Sequence, residues 1–347
     1  MTKIIRAVGA FAAVYAFAAP AMAQLSEADF YKGKQVQLVI GYAPGSGYDF
    51  YARLLARHMG NHIPGNPNII PQNMPGAGSL KAANWLYSVA PKDGTVFATT
   101  GRGVPMTPLL GGAGANFDAT KFTYVGSMNN EVSVAVAWHT SGITTIEDVM
   151  KRELVVGATA VGVDDTTVFP AVINAMIGTK FKWIVGYPGG NDMNLAMERG
   201  ETQGRAGWSW SSVKSTQMDW YKEKKIHVLL QMSLSKHEDL PDVPLVMDLA
   251  KTDEQRQVLE LIFSRQVLGR PFYAPPSLPA SRVKTLREAF DATMKDKAML
   301  AEADKSQMEI TPVSGVEIEQ LIARIYKTPA DVVKRAIEIM PQPKGAH

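Results

Sequence analysis

VQLVIGYAPGSGYDFYARLLARHM, Val36 to Met59, is the stretch whose reading decides the fold. It opens as a strand, with apolar Val36, Leu38, Val39 and Ile40 ending at Gly41. It closes as a helix, with Phe50, Leu54, Leu55 and Met59 near helical spacing. Between them lies Pro44-Gly45-Ser46-Gly47-Tyr48-Asp49. A strand that turns through glycines into a helix leaves unpaired N–H groups at the helix start, and the helix dipole adds partial positive charge there. Such a turn can hold an anion without a cationic side chain. It reads as half of a carboxylate-binding cleft.

The pattern recurs along the chain. A second glycine turn, Pro75 to Ser79, precedes a helix carrying Leu80, Ala83, Leu86 and Tyr87. Thr95 to Thr100 is a short strand ending in Gly101-Arg102-Gly103. Leu154 to Gly157 is a strand that runs through a small-residue turn, Ala158 to Asp165, into a helix from Thr166 to Met176. Trp183 to Val185, His227 to Met232 and Val267 to Ala274 read as further strands, and Asp192 to Arg199 as a helix. Repeated strand, turn and helix units imply parallel sheets with helices on their faces, and ligands in such sheets bind beyond the carboxyl ends of the strands. Thr145 with Asp148, and Ser314 with Glu317, have capping-box spacing. A last helix is expected from Thr328 to Met340.

The 347 residues suit two domains. Residues 1–23 read as a secretory leader: basic Lys3 and Arg6, an apolar run from Ala7 to Ala19, and Ala21-Met22-Ala23 before a cleavage at Gln24. Without Lys3 and Arg6 the 36 basic residues fall to 34, against 33 acidic ones. That balance argues against nucleic acid and anionic membrane surfaces as partners. The chain has no cysteine, which excludes disulfides and thiolate chemistry. The expected location is the periplasm.

At this point the chain resembles a known family, the solute-binding receptors of tripartite tricarboxylate transporters, or Bug proteins. The motifs are Pro44-Gly45 with Asp49 and Arg53 after it, PGAG at Pro75 to Gly78, DGT at Asp93 to Thr95, YPGG at Tyr187 to Gly190, LPDVP at Leu240 to Pro244, and APPSLPASRV at Ala274 to Val283. The resemblance runs from Lys34 to about Ala336. The chain departs from it in three places. Ser46 stands where relatives usually have a second glycine, Val161, Asp164 and Asp165 occupy a turn usually rich in glycine and serine, and Pro188 replaces a usual lysine.

The resemblance implies a two-lobed, type II periplasmic binding fold of the Venus-flytrap kind, α/β, with mainly parallel sheets flanked by helices. Lobe one is expected over 24–125, lobe two over 126–262, and a return to lobe one with C-terminal helices over 263–340, with crossings near Phe122 and Val267 and a loose tail at 341–347. Also implied is delivery of a small carboxylate to two integral membrane subunits driven by an ion gradient. The receptor itself is expected to be a monomer without cofactor or metal.

The expected ligand contacts are Tyr42, Ala43, Pro44, Gly45, Ser46 and Gly47 on one side, and Thr159, Val161, Gly162, Asp164, Tyr187 and Pro188 on the other. Asp49 and Arg53 read as supports, Asp49 capping its own helix and pairing with Arg53 at i+4. Arg102, between two glycines at a strand end, can grip a carboxylate through two parallel bonds or stand as a solvated surface group. Arg205 and Arg270 show weaker signals. Asp164 and Asp165 would repel a carboxylate. One of them caps the following helix, or one receives an ammonium or hydroxyl of the ligand. Trp208 and Trp210 line a pocket or pack in the core. His58 and His62 have metal-ligand spacing, but Gly60 between them reads as a helix end. An exported enzyme acting on an anionic substrate, or a signalling receptor of the same fold, stand as alternatives. Against the enzyme, the chain has no GxSxG, HExxH, Walker A or complete GxGxxG pattern.

Overall fold

A computed structural model of the chain describes residues 26–162 and 164–341. The expected leader and nearly all of the expected loose tail lie outside the described residues. In chain order the elements begin with α1 (Glu27–Tyr31), β1 (Gln35–Ile40), α2 (Gly47–Met59), β2 (Asn68–Asn73), α3 (Leu80–Ser88), β3 (Val96–Thr99) and β4 (Thr123–Ser127). Then come β5 (Ser133–Trp138), α4 (Ile146–Lys151), β6 (Leu154–Ala158), α5 (Asp165–Ile177), β7 (Phe181–Val185), α6 (Gly190–Glu198), β8 (Gly204–Ser209), α7 (Trp210–Thr216), α8 (Met218–Lys222) and β9 (Ile226–Met232). The chain closes with α9 (Asp253–Phe263), β10 (Pro271–Ala274), α10 (Ala280–Thr293), α11 (Lys297–Lys305), β11 (Val313–Ser314), α12 (Gly315–Ile325) and α13 (Ala330–Ile339).

The strands form two sheets. The first has six strands in the order β11-β4-β10-β3-β1-β2, and the second has five in the order β7-β6-β8-β5-β9. Helices flank both, so the fold is the two-lobed α/β architecture expected. The sheets are more mixed than "mainly parallel" suggests. β1 runs parallel to β2 and β3, and β6 to β7 and β8. β10 is antiparallel to β3 and β4, β11 to β4, and β5 to β8 and β9. The reason is connectivity. β5 and β10 each follow a crossing between the sheets, so they start at the cleft and run away from it. β1, β3, β6 and β8 run toward it. The first crossing falls between β4 and β5, at 128–132, a few residues later than expected at Phe122.

The central element is built as its residues dictate. In β1, Val36, Leu38, Val39 and Ile40 are buried. In α2 the buried stripe is Tyr51, Ala52, Leu54, Leu55 and Met59, each worth roughly 1.5–3 kcal/mol for its larger members. Phe50 does not join it and is 44% exposed, because Tyr51 takes the inward place one residue on. Both expected capping boxes form, at Thr145/Asp148 and Ser314/Glu317.

Other elements differ from expectation. The strand expected over Val267 to Ala274 is a short 3-10 turn to Leu268 and then strand from Pro271 onward. Gly269 sits between them at the return crossing, where a Cβ would lie 2.4 Å from Asn129 Oδ1. β2 is an edge strand, which explains how it tolerates Pro71 opposite Leu38. The helical stretch after β8 breaks at Gln217 into α7 and α8. α9 and α11 had no counterpart in the sequence reading. α13 packs against α9 and α5, and so returns the chain's end to the second lobe.

Candidate functional site

The carboxyl ends of β1, β3, β6 and β8 meet at a cavity between the two sheets. Its first wall holds Tyr42, Ser46, Gly47, Tyr48 and Arg102, and its second holds Thr159, Asp164, Asp165, Asn191, Asn194, Arg205 and Trp208. Of the expected contacts, Tyr42, Ser46, Gly47, Arg102, Thr159 and Asp164 line it. Ala43, Pro44, Gly45, Val161, Gly162, Tyr187 and Pro188 are not in its lining. Pro44 and Pro188 are exposed to solvent. Tyr187 packs beside Gly157. Gly162, in the left-handed region at φ +75°, backs onto the carbonyl of Pro341.

The first turn is held by a carboxylate. Asp49 is buried and accepts hydrogen bonds from Gly45 N–H (2.9 Å), Arg53 Nε (2.9 Å) and Asn73 Nδ2 (2.8 Å). Burial alone would raise its pKa, but these three donors hold it below the usual carboxylate value. Contrary to expectation, Asp49 does not cap its own helix. Ser46 does, accepting the Asp49 N–H at 3.3 Å, and Asp49 reaches back to fix the turn. Two amides expected for the ligand are therefore used internally: Gly45 by Asp49, and Ser46 by the Ala43 carbonyl (3.4 Å). Gly47 and Tyr48 remain as the leading amides of α2, with no partner inside the helix. Gly45, at φ +77°, comes against Asn191 of the opposite lobe.

The second turn gives its two aspartates different partners. Asp164 caps α5 by accepting the Thr166 N–H at 2.9 Å, and its other oxygen accepts the Tyr42 hydroxyl at 2.6 Å from across the cleft. Asp165 lies 3.2 Å from Arg102 Nε and 3.3 Å from Arg265 Nη1. Thr159 Oγ1 is buried without a hydrogen-bond partner among the described residues.

Arg102 is neither a free grip nor a surface group. It is 2% exposed, and its three nitrogens engage Tyr48 and Asp165, Gln266, and Ser209. Arg270 commits its two terminal nitrogens to Glu131, Ser209, Ser211 and Ser212, while its Nε has no partner among the described residues. Arg205 differs from both in lacking a carboxylate partner among the described residues. It is 5% exposed, its Nη1 donates to Asn194 Oδ1 (2.7 Å) and the Gly190 carbonyl (3.3 Å), and its Nε has no partner among the described residues. No carboxylate forms a salt bridge with it among the described residues. Burial pushes its guanidinium down to about 9, with the Asp164 charge opposing. Its plane lies over the Trp208 ring at 4.1 Å.

Sequence reasoning underrated Arg205 because it follows no plain strand–turn signal, and simple alternation would put residues 205 and 208 on opposite faces of a strand. Gly207 breaks that alternation. It sits at φ +74°, where β8 shifts register against β5, and Arg205 and Trp208 come together. The signal was the glycine inside the strand. Trp210 packs in the core, with its indole N–H donating to Asp239 at 3.0 Å. His58 and His62 part company: each contacts a carboxylate at 2.8 Å, Glu302 for the first and Asp296 for the second. No group of three or more potential metal ligands occurs among the described residues. Nor is any described helix long and apolar enough to cross a membrane.

Two lobes, strand ends converging on a polar cleft, and helix starts facing it from both sides define a solute-binding architecture. The chain is similar to binding proteins of that kind. BugT of Bordetella pertussis is 34% identical over 80 residues, 23% of this chain and 22% of that one. A protein from Cupriavidus necator, named UPF0065 protein in gbd 5'region, is 38% identical over 90 residues, 26% of this chain and 27% of that one. The matches thus span about a quarter of the curated relatives. No family model matches. The solved periplasmic binding protein BugD has a TM-score of 0.71 at 16% identity, over 90% of this chain and 100% of that one. An R. palustris protein solved with adipate gives 0.70 at 17%, over 89% and 99%. MatC from Rhodopseudomonas palustris, solved with malate, gives 0.67 at 16%, over 87% and 99%. The chain is thus similar to Bug proteins over about a quarter of its length, and it shares the fold of the solved BugD and of a TctC solute-binding protein from Polaromonas, TM-score 0.58 at 17% identity over 88% of this chain and 99% of that one.

Proposed function

We propose that the protein is a periplasmic receptor that captures a small carboxylate-containing solute between its lobes. In this reading it is exported through the leader at 1–23 and delivers the solute to two membrane subunits of a tripartite-type secondary transporter. Arg205 carries the proposal. A buried cation without a counter-charge is costly, and an anion placed against it removes that cost. The starts of α2 and α6 on opposite walls add partial positive charge. The similar proteins solved with adipate and malate support a carboxylate as the ligand. Micromolar binding needs about 8 kcal/mol, and a few charge-assisted hydrogen bonds at about 1.5–3 kcal/mol each supply much of that in a closed cleft.

The test is thermal unfolding of the chain from Gln24 onward against paired carboxylic acids and their amides. An acid at 100 times its dissociation constant adds about 2.7 kcal/mol and raises the midpoint, while its amide leaves it unmoved. If amides shift the midpoint as far as acids, the carboxylate reading falls.

A further inference from the structure

The cavity is not lined by positive charge alone. Its four charged side chains are Arg102, Arg205, Asp164 and Asp165, two of each sign. Asp165 is held by Arg102 at 3.2 Å and, from behind the lining, by Arg265 at 3.3 Å. Arg205 and Asp164 are left over, and among the described residues neither makes a salt bridge. Arg205 keeps an unpartnered Nε while 5% exposed. Asp164 is 9% exposed and uses one bond on each oxygen, to Thr166 N–H and to the Tyr42 hydroxyl. A carboxylate has about four acceptor positions, so Asp164 has room for a further donor.

A plain dicarboxylate would set its second negative charge in the field of Asp164, a buried carboxylate that has no cation bonded to it among the described residues. A ligand with one negative and one positive end brings no net charge and answers both leftover groups. We propose, on the basis of the carboxylate reading above, that the ligand is a zwitterionic amino acid, its carboxylate held at Arg205 and its ammonium donating to Asp164. Asp164 is then a specificity-determining residue as well as a helix cap. Buried Thr159 Oγ1, unpartnered in the same wall, stands ready to accept from the same ammonium.

The experiment is calorimetric titration of the purified protein with pairs of acids that differ by the amino group: alanine and propionate, aspartate and succinate, leucine and 4-methylpentanoate, phenylalanine and 3-phenylpropionate. Lactate and malate serve as hydroxyl analogues. In the best-binding pair the amino acid should win by on the order of tenfold or more, the worth of one charge-assisted hydrogen bond. Asp164→Asn keeps a capping oxygen and should collapse that ratio toward one. Were Asp164 merely a latch for Tyr42, both members of the pair would weaken alike and the ratio would persist, which overturns the proposal. So would deaminated or hydroxy acids that match or beat their amino acids in the unaltered protein. If the Asn variant does not fold, Tyr42→Phe replaces it: it frees an Asp164 lone pair for the ammonium, so the ratio should rise, and a ratio that stays or falls overturns the proposal. Binding of no acid at all would bring down the carboxylate reading together with this one.

Discussion

Arg102 Nε lies 3.2 Å from Asp165 Oδ2, joining the end of β3 in one lobe to the start of α5 in the other. Arg265 reaches the second oxygen of the same carboxylate at 3.3 Å. Burial raises the Asp165 pKa, and the two guanidiniums pull against it. Two cations on one buried anion form a tie between lobes. Arg102→Met leaves Asp165 with Arg265 as its one cation and should cost about 1.5–3 kcal/mol, read as a lower urea midpoint. Asp165→Asn should also destabilise. The double variant should be less damaged than the sum, since the second change removes what the first left stranded. Additive losses would show that the pair is not coupled.

Arg205 predicts the opposite sign in the ligand-free protein. Among the described residues no carboxylate bonds its guanidinium, so removing the charge relieves a desolvation cost. Arg205→Met should leave the free protein as stable as before or more so. The midpoint shift given by a binding acid should shrink as affinity falls ten- to hundredfold, the equivalent of ~1.5–3 kcal/mol. A variant that unfolds early yet binds normally would place Arg205 in the scaffold instead.

The first lobe's turn was legible because its chemistry is local. Strand, Pro-Gly turn, Asp49 and Arg53 at helical spacing all lie within twenty residues, and the Asp49–Arg53 pair forms as read. What the sequence concealed was long-range. Nothing near Arg102 announces that its partners stand at Asp165, Ser209 and Gln266. Arg205 was masked by a bulge, and Asp164 by the fact that its second donor, Tyr42, comes from 122 residues away. α9 and α11 went unread although Thr252/Gln255 forms a capping box and Asp296 caps α11, because both stretches are strongly charged and resemble loops in composition.

A second link across the lobes sets a dependence on pH. Glu309, just before β11, lies 3.0 Å from Lys214 of α7 and 3.1 Å from His237 after β9. Burial favours its protonated form, but these two donors prevail and hold its pKa below the ordinary 4.5. A carboxyl whose folded pKa is depressed contributes stability that is full above its unfolded pKa and is lost as pH falls through the folded one. Stability should thus decline on the acid side of 4.5, and Glu309→Gln should flatten that decline while lowering stability at neutral pH. The slope of unfolding free energy against pH for both proteins checks this. Parallel slopes would dismiss Glu309 as a contributor.

Gly47 provides a way to separate closure from folding. It is the first residue of α2, a place where alanine is well tolerated, and its φ is not in the left-handed region. A Cβ there would nonetheless lie 2.0 Å from Ser212 Oγ and 3.0 Å from Ser212 Cβ on the opposite lobe. Rotating the serine hydroxyl away does not clear its Cβ, and Ser212 also accepts from Arg270 Nη2 at 2.8 Å. Gly47→Ala should hold the lobes apart without disturbing either one. Small-angle scattering should show a larger radius of gyration at saturating ligand, and binding should weaken, since a ligand can only close the cleft by favouring the closed form. Each lobe should keep its helical circular dichroism. A variant that closes and binds like the unaltered protein would mean that α7 yields to the methyl group, and that the contact between Gly47 and Ser212 does not set the approach of the lobes.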